Sequence, residues 1–338
     1  MDTLPKSMGK MPNKQDLAGA VEPLLDDPDR MLKLLSMQPA QTDQRNLSQV
    51  SLMFARTLGV HGDDDRIAIG NLDGAFPIQA AARDAARGVA LLASDAVITV
   101  VGNDVRLAVS QEALRGPFQD EPCIALTHPA TAFLITNRHA VTAAHAVAFR
   151  DPASLSLAFG FGTRSVLAED RSHYTLPKTH LIGVKRIVAL VLNPQLGDIA
   201  VLELLDAVLP VAGTPLRLAP AQSTKMLQEV AMISHARAQP LKVVVRARDS
   251  PQPWRYPRVL DQDERFIYTN LDSFRGCSGS PVIDARGRVV GVQSGGELED
   301  DREHVPIPHP EDAAGSTATR ISLIQDTMAA LGKPLPLR

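Results

Sequence analysis

The hydrophobic pattern changes along the chain from helical spacing to short apolar runs. From about residue 95 to residue 295, apolar runs of roughly strand length alternate with turn signals, a spacing typical of an all-β sandwich or barrel. We therefore predict a mainly β domain over residues 95–335, closed by a helix whose last residues are 328–331 and which is capped by Gly332. Beyond two initial strands near 97–101 and 105–109, the runs that support this prediction lie at 155–159, 181–192, 199–205, 229–233, 241–247 and 265–270.

The first 60 residues have a different pattern. Apolar residues recur at helical spacing over residues 14–60, with a break near Pro28, and predict a small helical N-terminal region. Residues 1–13 are polar and predict a disordered tail, whereas 61–94 predict a linker and a connecting helix. The helical region is interpreted either as a packing domain or as a module that recruits a regulatory protein.

Composition narrows the choice of partners. The 338 residues carry a net charge of −3, and no Lys/Arg run occurs, which argues against a nucleic-acid partner. No apolar run is long enough to span a bilayer, so no membrane partner is predicted. The chain has two cysteines, Cys123 and Cys277, too few for a disulfide framework. These features predict a cytoplasmic protein.

The most informative stretch is residues 274–282, with the sequence FRGCSGSPV. Glycines on both sides of Ser278 allow a tight backbone turn that brings N–H groups close to a reacting atom. The N–H groups of Gly276 and Ser278 are candidates to hold the oxyanion of a tetrahedral intermediate. The alternative interpretation is an ordinary Gly/Ser hairpin turn.

Two further side chains complete a candidate site. His145 follows an apolar strand and a run of small residues, and Asp198 stands at the head of another apolar strand. A buried carboxylate requires a partner, and an imidazole N–H is a suitable one. Taken separately, His145 is equally well a packed or surface histidine, and Asp198 a strand cap.

The order His, Asp, Ser and the local sequences around them resemble the chymotrypsin/trypsin-like serine peptidases. The resemblance covers about the last two-thirds of the chain and rests on residues 142–145 (TAAH), 197–202 (GDIAVL), 276–282 (GCSGSPV) and 318–322 (ATRIS). It implies a pair of six-stranded β-barrels with the site at their junction. It also implies that His145, Asp198 and Ser278 form a triad that cleaves peptide bonds through an acyl-enzyme. This chemistry requires no cofactor or metal.

Cys277 is the main departure from this family, which most often has Asp or Asn before the nucleophile. We interpret it as a packed thiol or a redox-sensitive group. Cys277 could also be proposed as the nucleophile, as in viral cysteine peptidases of similar fold. In those enzymes Gly directly follows the nucleophile. Here Gly279 follows Ser278, so Ser278 is favoured over Cys277 as the nucleophile. In the trypsin-like family, the new amino group released by cleavage of the precursor pairs with an Asp carboxylate directly before the nucleophile. Cys277 offers no such carboxylate. This suggests an oxyanion hole that forms without N-terminal trimming, as in bacterial relatives of the glutamyl-endopeptidase and heat-shock-peptidase type. Residues 61–70 (HGDDDRIAIG) resemble a precursor activation site with a cut after Arg66, but an exposed acidic linker is the favoured interpretation.

Substrate preference is predicted from Asp272, six residues before Ser278, where family members with basic preference carry a pocket carboxylate. Such a charge would hold Arg or Lys before the cut. Ser294 and Gly296 resemble the facing wall of that pocket. The alternative is that Asp272 caps a loop.

Two functions are compatible with the sequence. The first is a serine endopeptidase that acts on a protein or peptide and is regulated by its N-terminal region. The second is a catalytically silent or partner-gated binding module with the same fold.

Overall fold

The structure, a computed structural model, describes residues 60–61, 65–111, 118–119, 121–193, 195–221, 223–246, 256–296, 308–309 and 316–330. The predicted tail at 1–13 and nearly all of the predicted helical region at 14–60 lie outside the described residues. Within the described part, no helix is both long enough and apolar enough to cross a bilayer. The predicted cytoplasmic location and the predicted absence of membrane and nucleic-acid partners stay predictions.

The described residues form mainly β-strands with two α-helices. The strands are β1 (Val60–His61), β2 (Arg66–Ala68), β3 (Val89–Ser94), β4 (Ile98–Val101), β5 (Asp104–Ala108), β6 (Ala130–Thr136), β7 (His139–Thr142), β8 (Leu155–Phe159), β9 (Val166–Leu167), β10 (His173–Pro177), β11 (Leu181–Asn193), β12 (Gly197–Leu204), β13 (Arg217–Leu218), β14 (Val230–Ser234), β15 (Lys242–Val244), β16 (Val259–Gln262), β17 (Phe266–Thr269), β18 (Pro281–Asp284), β19 (Arg288–Gly296), β20 (Pro308–His309) and β21 (Ser316–Arg320). The α-helices are α1 (Pro77–Ala85) and α2 (Ser322–Ala330).

Six strands close into a barrel in the order β11-β12-β7-β6-β3-β8. Strands such as β8 are buried along their whole length, because one face fills the barrel and the other packs on neighbouring elements. Aromatic and branched side chains occupy the interior, including Leu134, Leu157, Phe159 and Leu202. A separate four-stranded sheet, in the order β4-β5-β10-β9, packs against this barrel.

The second half of the fold is a sheet in the order β16-β17-β21-β19-β18-β14-β15-β2, with β13 paired to β19. The predicted mainly β fold with a C-terminal helix is thus confirmed. The second unit differs from the expected closed six-stranded barrel, since it is a longer, half-barrel sheet. Its edge strand at one end is β2, in which Ile67 pairs with Val243 of β15.

One apolar core joins the two halves. It combines Phe133 and Val201 of the barrel with Val282 and Val292 of the second sheet. Ile78 of α1 and Ile324 of α2 complete this core. Each such side chain contributes about 1.5–3 kcal/mol when fully buried. The junction between the halves is therefore a packed interface, which can hold side chains from both halves in fixed positions.

Residues 61–94 differ from the predicted linker and connecting helix. Helix α1 lies inside this segment and begins with Pro77 at its first turn, where a missing N–H costs nothing. However, β3 belongs to the closed barrel, so the barrel begins before residue 95. The sequence of β3, VALLAS, is compatible with a helix by propensity. Pairing with β6 and β8 decides its structure instead.

Candidate active site

His145 is held at the end of β7 by a short 3₁₀ turn, Ala144–Ala146. The neighbouring residues Ala143 and Ala144 are small and fully buried, so the turn packs closely on the barrel. Its imidazole is 9% exposed, which leaves one edge accessible from the junction. Of the two interpretations left open by the sequence, a packed or a surface histidine, the structure has the packed one.

Asp198 lies near the start of β12 and is fully buried. Because β12 runs antiparallel to β7, with Ala200 opposite Thr142, the register brings Asp198 beside the turn that carries His145. Its Oδ1 accepts the backbone N–H of His145 at 2.9 Å, and its Oδ2 contacts Nδ1 of the same residue. The carboxylate therefore fixes both the backbone and the ring of His145, and favours the tautomer with the proton on Nδ1.

Ser278 comes from the other half of the fold, in the loop between β17 and β18. Its Oγ lies 2.9 Å from Nε2 of His145. The loop is tied to the barrel because the N–H of Thr131 donates to the carbonyl of Ser278 at 2.8 Å. The Thr131 hydroxyl accepts the N–H of His235 at 3.0 Å and donates to the Gly276 carbonyl at 2.8 Å. The structure thus brings together the three side chains that the sequence order singled out.

Among the described residues, two backbone donors around Ser278 have no acceptor. The N–H groups of Cys277, Gly279 and Ser280 donate to the carbonyls of Phe274, Gln293 and Cys277. Within the described part of the chain, the N–H groups of Gly276 and Ser278 make no hydrogen bond. Gly276 adopts φ +96°, a conformation that a side chain would strain. This arrangement is compatible with the predicted oxyanion site.

A polar chain behind Asp198 was not predicted from the sequence. The Asp198 N–H donates to Oγ1 of Thr319 at 3.1 Å, and this hydroxyl lies 3.2 Å from Oγ of Ser294. The Ser294 hydroxyl also donates to the Thr317 carbonyl at 3.2 Å. Ser294, predicted to face the substrate, is fully buried and supports Asp198 from behind. Gly296, the other predicted wall residue, ends β19 and pairs with Ser316.

Asp272 is buried and contacts the residue that precedes β2. It is 1% exposed, and its Oδ2 accepts the backbone N–H of Asp65 at 2.8 Å. The next residue, Arg66, places its guanidinium over the rings of Phe118 and Phe274, 4.1 and 4.3 Å from their centroids. Cation–π contacts of a partly desolvated arginine contribute roughly 1–2 kcal/mol each. The edge strand β2 is therefore fastened to the loop that precedes Ser278.

The structure shows Cys277 as a packed thiol. It is fully buried, and burial raises the pKa of its thiol. Its Sγ accepts the Phe274 N–H at 3.4 Å. A thiol with a raised pKa forms little thiolate at neutral pH, which disfavours it as a nucleophile.

Positive charge lies next to the nucleophile loop. Burial lowers the pKa of His128, and the charges of Arg150 and Arg275 lower it further. Arg275 directly precedes Gly276, and His128 lies three residues before Thr131.

No group of three or more His, Cys, Asp or Glu side chains suited to a metal occurs among the described residues.

His235 adds a pH dependence to this region. Burial lowers the pKa of its imidazole from 6.5 to about 4, against a smaller opposing effect of the hydrogen bond to the Gln239 carbonyl. Between these pH values the unfolded chain binds more protons than the folded chain, so stability falls as the pH decreases through this window. We expect a loss of about 3 kcal/mol from pH 7 to pH 4 attributable to His235. Urea unfolding at several pH values, compared with His235→Gln, measures it; identical pH dependence in the two proteins would refute the assignment.

The fold and the site together define a class. A closed β-barrel packed on a second β-sheet, with His145, Asp198 and Ser278 at the junction, has the architecture of the serine peptidases that the sequence resembles. Residues 130–292 match the family model described as the trypsin-like peptidase domain.

Other comparisons give distant likenesses. Among curated proteins, none matches this chain. The Rv3671c protease from M. tuberculosis in its active form is 14% identical, with a TM-score of 0.43, over 83% of this chain and 93% of that chain. A scabies mite inactivated protease paralogue is 15% identical, with a TM-score of 0.42, over 73% and 96%. The serine endoprotease from Yersinia pestis is 13% identical, with a TM-score of 0.42, over 74% of this chain and 65% of that chain.

Proposed function

We propose that this chain is a serine endopeptidase that uses Ser278, His145 and Asp198. The observation that carries the proposal is the continuous contact from Ser278 Oγ through the imidazole of His145 to the buried carboxylate of Asp198. A serine hydroxyl is a weak nucleophile unless a base lies within hydrogen-bond reach. The distance of 2.9 Å between Oγ and Nε2 meets that requirement.

The first step would form an acyl-enzyme. Ser278 Oγ attacks the substrate carbonyl carbon while Nε2 of His145 takes the hydroxyl proton. Asp198 stabilises the resulting imidazolium, and the N–H groups of Gly276 and Ser278 donate to the oxyanion, each such donor contributing about 10²–10³ in rate. When the tetrahedral intermediate collapses, the C–N bond breaks and the imidazolium gives its proton to the departing amine.

The second step would release the acyl group. A water molecule attacks the ester while Nε2 takes its proton, and Ser278 Oγ leaves and recovers a proton from the imidazolium. Every proton passes through His145, so the reaction needs its Nδ1 proton to stay fixed by Asp198. The buried chain from Asp198 through Thr319 to Ser294 supports this position from behind.

The finer proposal is a preference for Arg or Lys before the cut, supported by the negative charge of Asp272 close to the nucleophile loop. Because this carboxylate already accepts the Asp65 N–H, a substrate cation would share it with the chain itself. We therefore expect a modest preference, no more than about tenfold in kcat/KM.

Regulation by the N-terminal region is proposed on the same contact. Asp65 and Arg66 follow the segment 14–60 by a few residues in the sequence and contact Asp272 and Phe274. A protein that binds residues 14–60 and displaces Asp65 and Arg66 from Asp272 and Phe274 would change the loop before Ser278.

Cleavage of a peptide library by the full chain tests the activity and the preference together. We expect hydrolysis that is absent in Ser278→Ala, and an Arg/Lys preference that disappears in Asp272→Asn while cleavage of neutral peptides remains. An unchanged preference in Asp272→Asn would contradict the role of Asp272. No hydrolysis of any peptide by the unmodified chain would favour the catalytically silent binding module.

A further inference from the structure

A cavity lies outside the candidate active site, between the end of α1, the turn after β8 and the loop at 211–212. Its volume is about 530 Å³, within the range of roughly 300–1,000 Å³ that is typical of small-molecule sites. Three arginines, Arg83, Arg87 and Arg164, line it together with His180. Asp84 is the one acidic residue of its lining.

The turn after β8 sets Arg164 beside His180. The Arg164 and Thr163 N–H groups donate to the Gly160 carbonyl at 2.7 and 3.0 Å, which closes a tight turn. Gly160 has φ +71°, and a Cβ added there would lie 3.1 Å from both Cγ of Arg164 and Nδ1 of His180. The arginine stem and the imidazole therefore converge over this glycine, where only a hydrogen atom fits without displacing them.

The other two arginines extend from the end of α1. An arginine at a helix C-terminus also interacts favourably with the helix dipole, which by itself would explain Arg83 and Arg87. However, each is also anchored by one guanidinium nitrogen. Nη2 of Arg83 donates to the Leu72 carbonyl, and Nη2 of Arg87 donates to the Pro210 carbonyl at 3.2 Å. A guanidinium has five N–H donors, so both retain donors for a ligand.

The three arginines of the cavity are exposed side chains. Across the described ranges, no carboxylate forms an ion pair with Arg83, Arg87 or Arg164. His180 is 5% exposed, its Nδ1 contacts the Phe159 carbonyl at 3.3 Å, and its Nε2 has no hydrogen-bond partner among the described residues. Burial lowers the pKa of His180, and the nearby charge of Arg164 lowers it further, against an opposing effect of the hydrogen bond to the Phe159 carbonyl.

The cavity lining also includes apolar side chains. Ile69 and Ala86 are buried, and Val211 is 65% exposed. A ligand that fits this lining would carry an anionic group and an apolar body. Arginine forks match the oxygens of phosphate in a bidentate geometry, and several together favour a doubly charged group over a singly charged one.

We propose that this cavity binds a small organic phosphate, with the phosphate group held by Arg164, Arg87 and Arg83 and the apolar body against Ile69 and Ala86. Since the cavity joins α1 to the barrel, a bound ligand stabilises the folded chain. The proposal does not depend on peptidase activity.

The test measures binding to the full chain by isothermal titration calorimetry and by the shift in Tm, at constant ionic strength. The probes are phenyl phosphate, inorganic phosphate and benzoate. We expect saturable binding of phenyl phosphate, weaker binding of inorganic phosphate, and a Tm that rises with phenyl phosphate. Arg164→Gln and Arg87→Gln each raise the Kd for phenyl phosphate at least tenfold, because each removes a charge-assisted contact.

Arg138→Gln is the matched control, since Arg138 is exposed in the turn between β6 and β7 and lies outside the cavity. It leaves the Kd unchanged. The Tm of each variant without ligand shows that its fold is retained. The absence of saturable binding at millimolar phenyl phosphate would overturn the proposal, and so would an equal loss of affinity in Arg138→Gln. Benzoate that binds as tightly as phenyl phosphate would overturn the choice of phosphate.

Discussion

Replacement of Asp198 by Asn is expected to lower the kcat for peptide hydrolysis about 10⁴-fold with little change in fold. The Asp198 carboxylate accepts from both the backbone N–H and Nδ1 of His145. An amide presents an N–H toward Nδ1, so the imidazole proton moves to Nε2. A protonated, neutral Nε2 cannot take the proton of Ser278. Steady-state kinetics with a cleaved peptide measures the loss, which corresponds to about 5.5 kcal/mol of transition-state stabilisation.

Glu203→Gln provides a matched control on the same strand. Glu203 pairs at the surface with Lys185 and Arg186, and these partners lower the pKa of its carboxyl to about 2. Removing one charge from such a partly exposed network costs about 1 kcal/mol of stability and leaves kcat unchanged. A similar kcat in Asp198→Asn and in the unmodified chain would mean that Asp198 does not orient His145 during catalysis.

Replacement of Gly279 by Ala is expected to destabilise the fold by more than about 4 kcal/mol, enough to unfold many domains. Gly279 adopts φ +85°, which strains any other residue. An added Cβ would overlap the Thr131 carbonyl oxygen and the Thr142 hydroxyl, and would approach the Ala143 nitrogen to 2.8 Å. These atoms belong to the closed barrel and lie beside His145, so they cannot move without disturbing it. Denaturant unfolding followed by circular dichroism measures the change.

Gly102→Ala separates backbone strain at a positive φ from steric overlap of the added Cβ. Gly102 also has a positive φ, +61°, but an added Cβ meets nothing within 4 Å. Its substitution carries the backbone strain alone, which costs on the order of 1–2 kcal/mol. Equal destabilisation in the two variants would show that the close approach of the Ser278 loop to the barrel is not the dominant effect.

The sequence predicted the parts of the site that have local signals. Ser278 lies between glycines, His145 follows small residues after a strand, and Asp198 heads an apolar run, and these are patterns within a few residues. Their order along the chain then suggested a common site. The strand at 155–159 was likewise predicted from its own composition and is β8 in the structure.

What the sequence did not reveal depends on residues far apart in the chain. The Asp65–Asp272 hydrogen bond joins residues 207 apart, and the Asp198–Thr319 bond joins residues 121 apart. Thr319 and Asp65 lie in the segments 318–322 and 61–70 that the sequence singled out, but no local pattern in either segment indicates a hydrogen bond to Asp198 or Asp272. β3 was missed because an Ala- and Leu-rich segment favours a helix by propensity, whereas pairing with β6 and β8 imposes a strand. Long-range pairing is set by the whole fold, which no short window of sequence contains.

The most direct measurement of the central claim is labelling of the purified full chain with a fluorophosphonate probe, which reacts with an activated serine hydroxyl. The comparison includes Ser278→Ala and Cys277→Ala. The account predicts labelling of the unmodified chain and of Cys277→Ala, and none of Ser278→Ala. Labelling that survives in Ser278→Ala, or its absence from the unmodified folded chain, would contradict the assignment of Ser278 as an activated nucleophile.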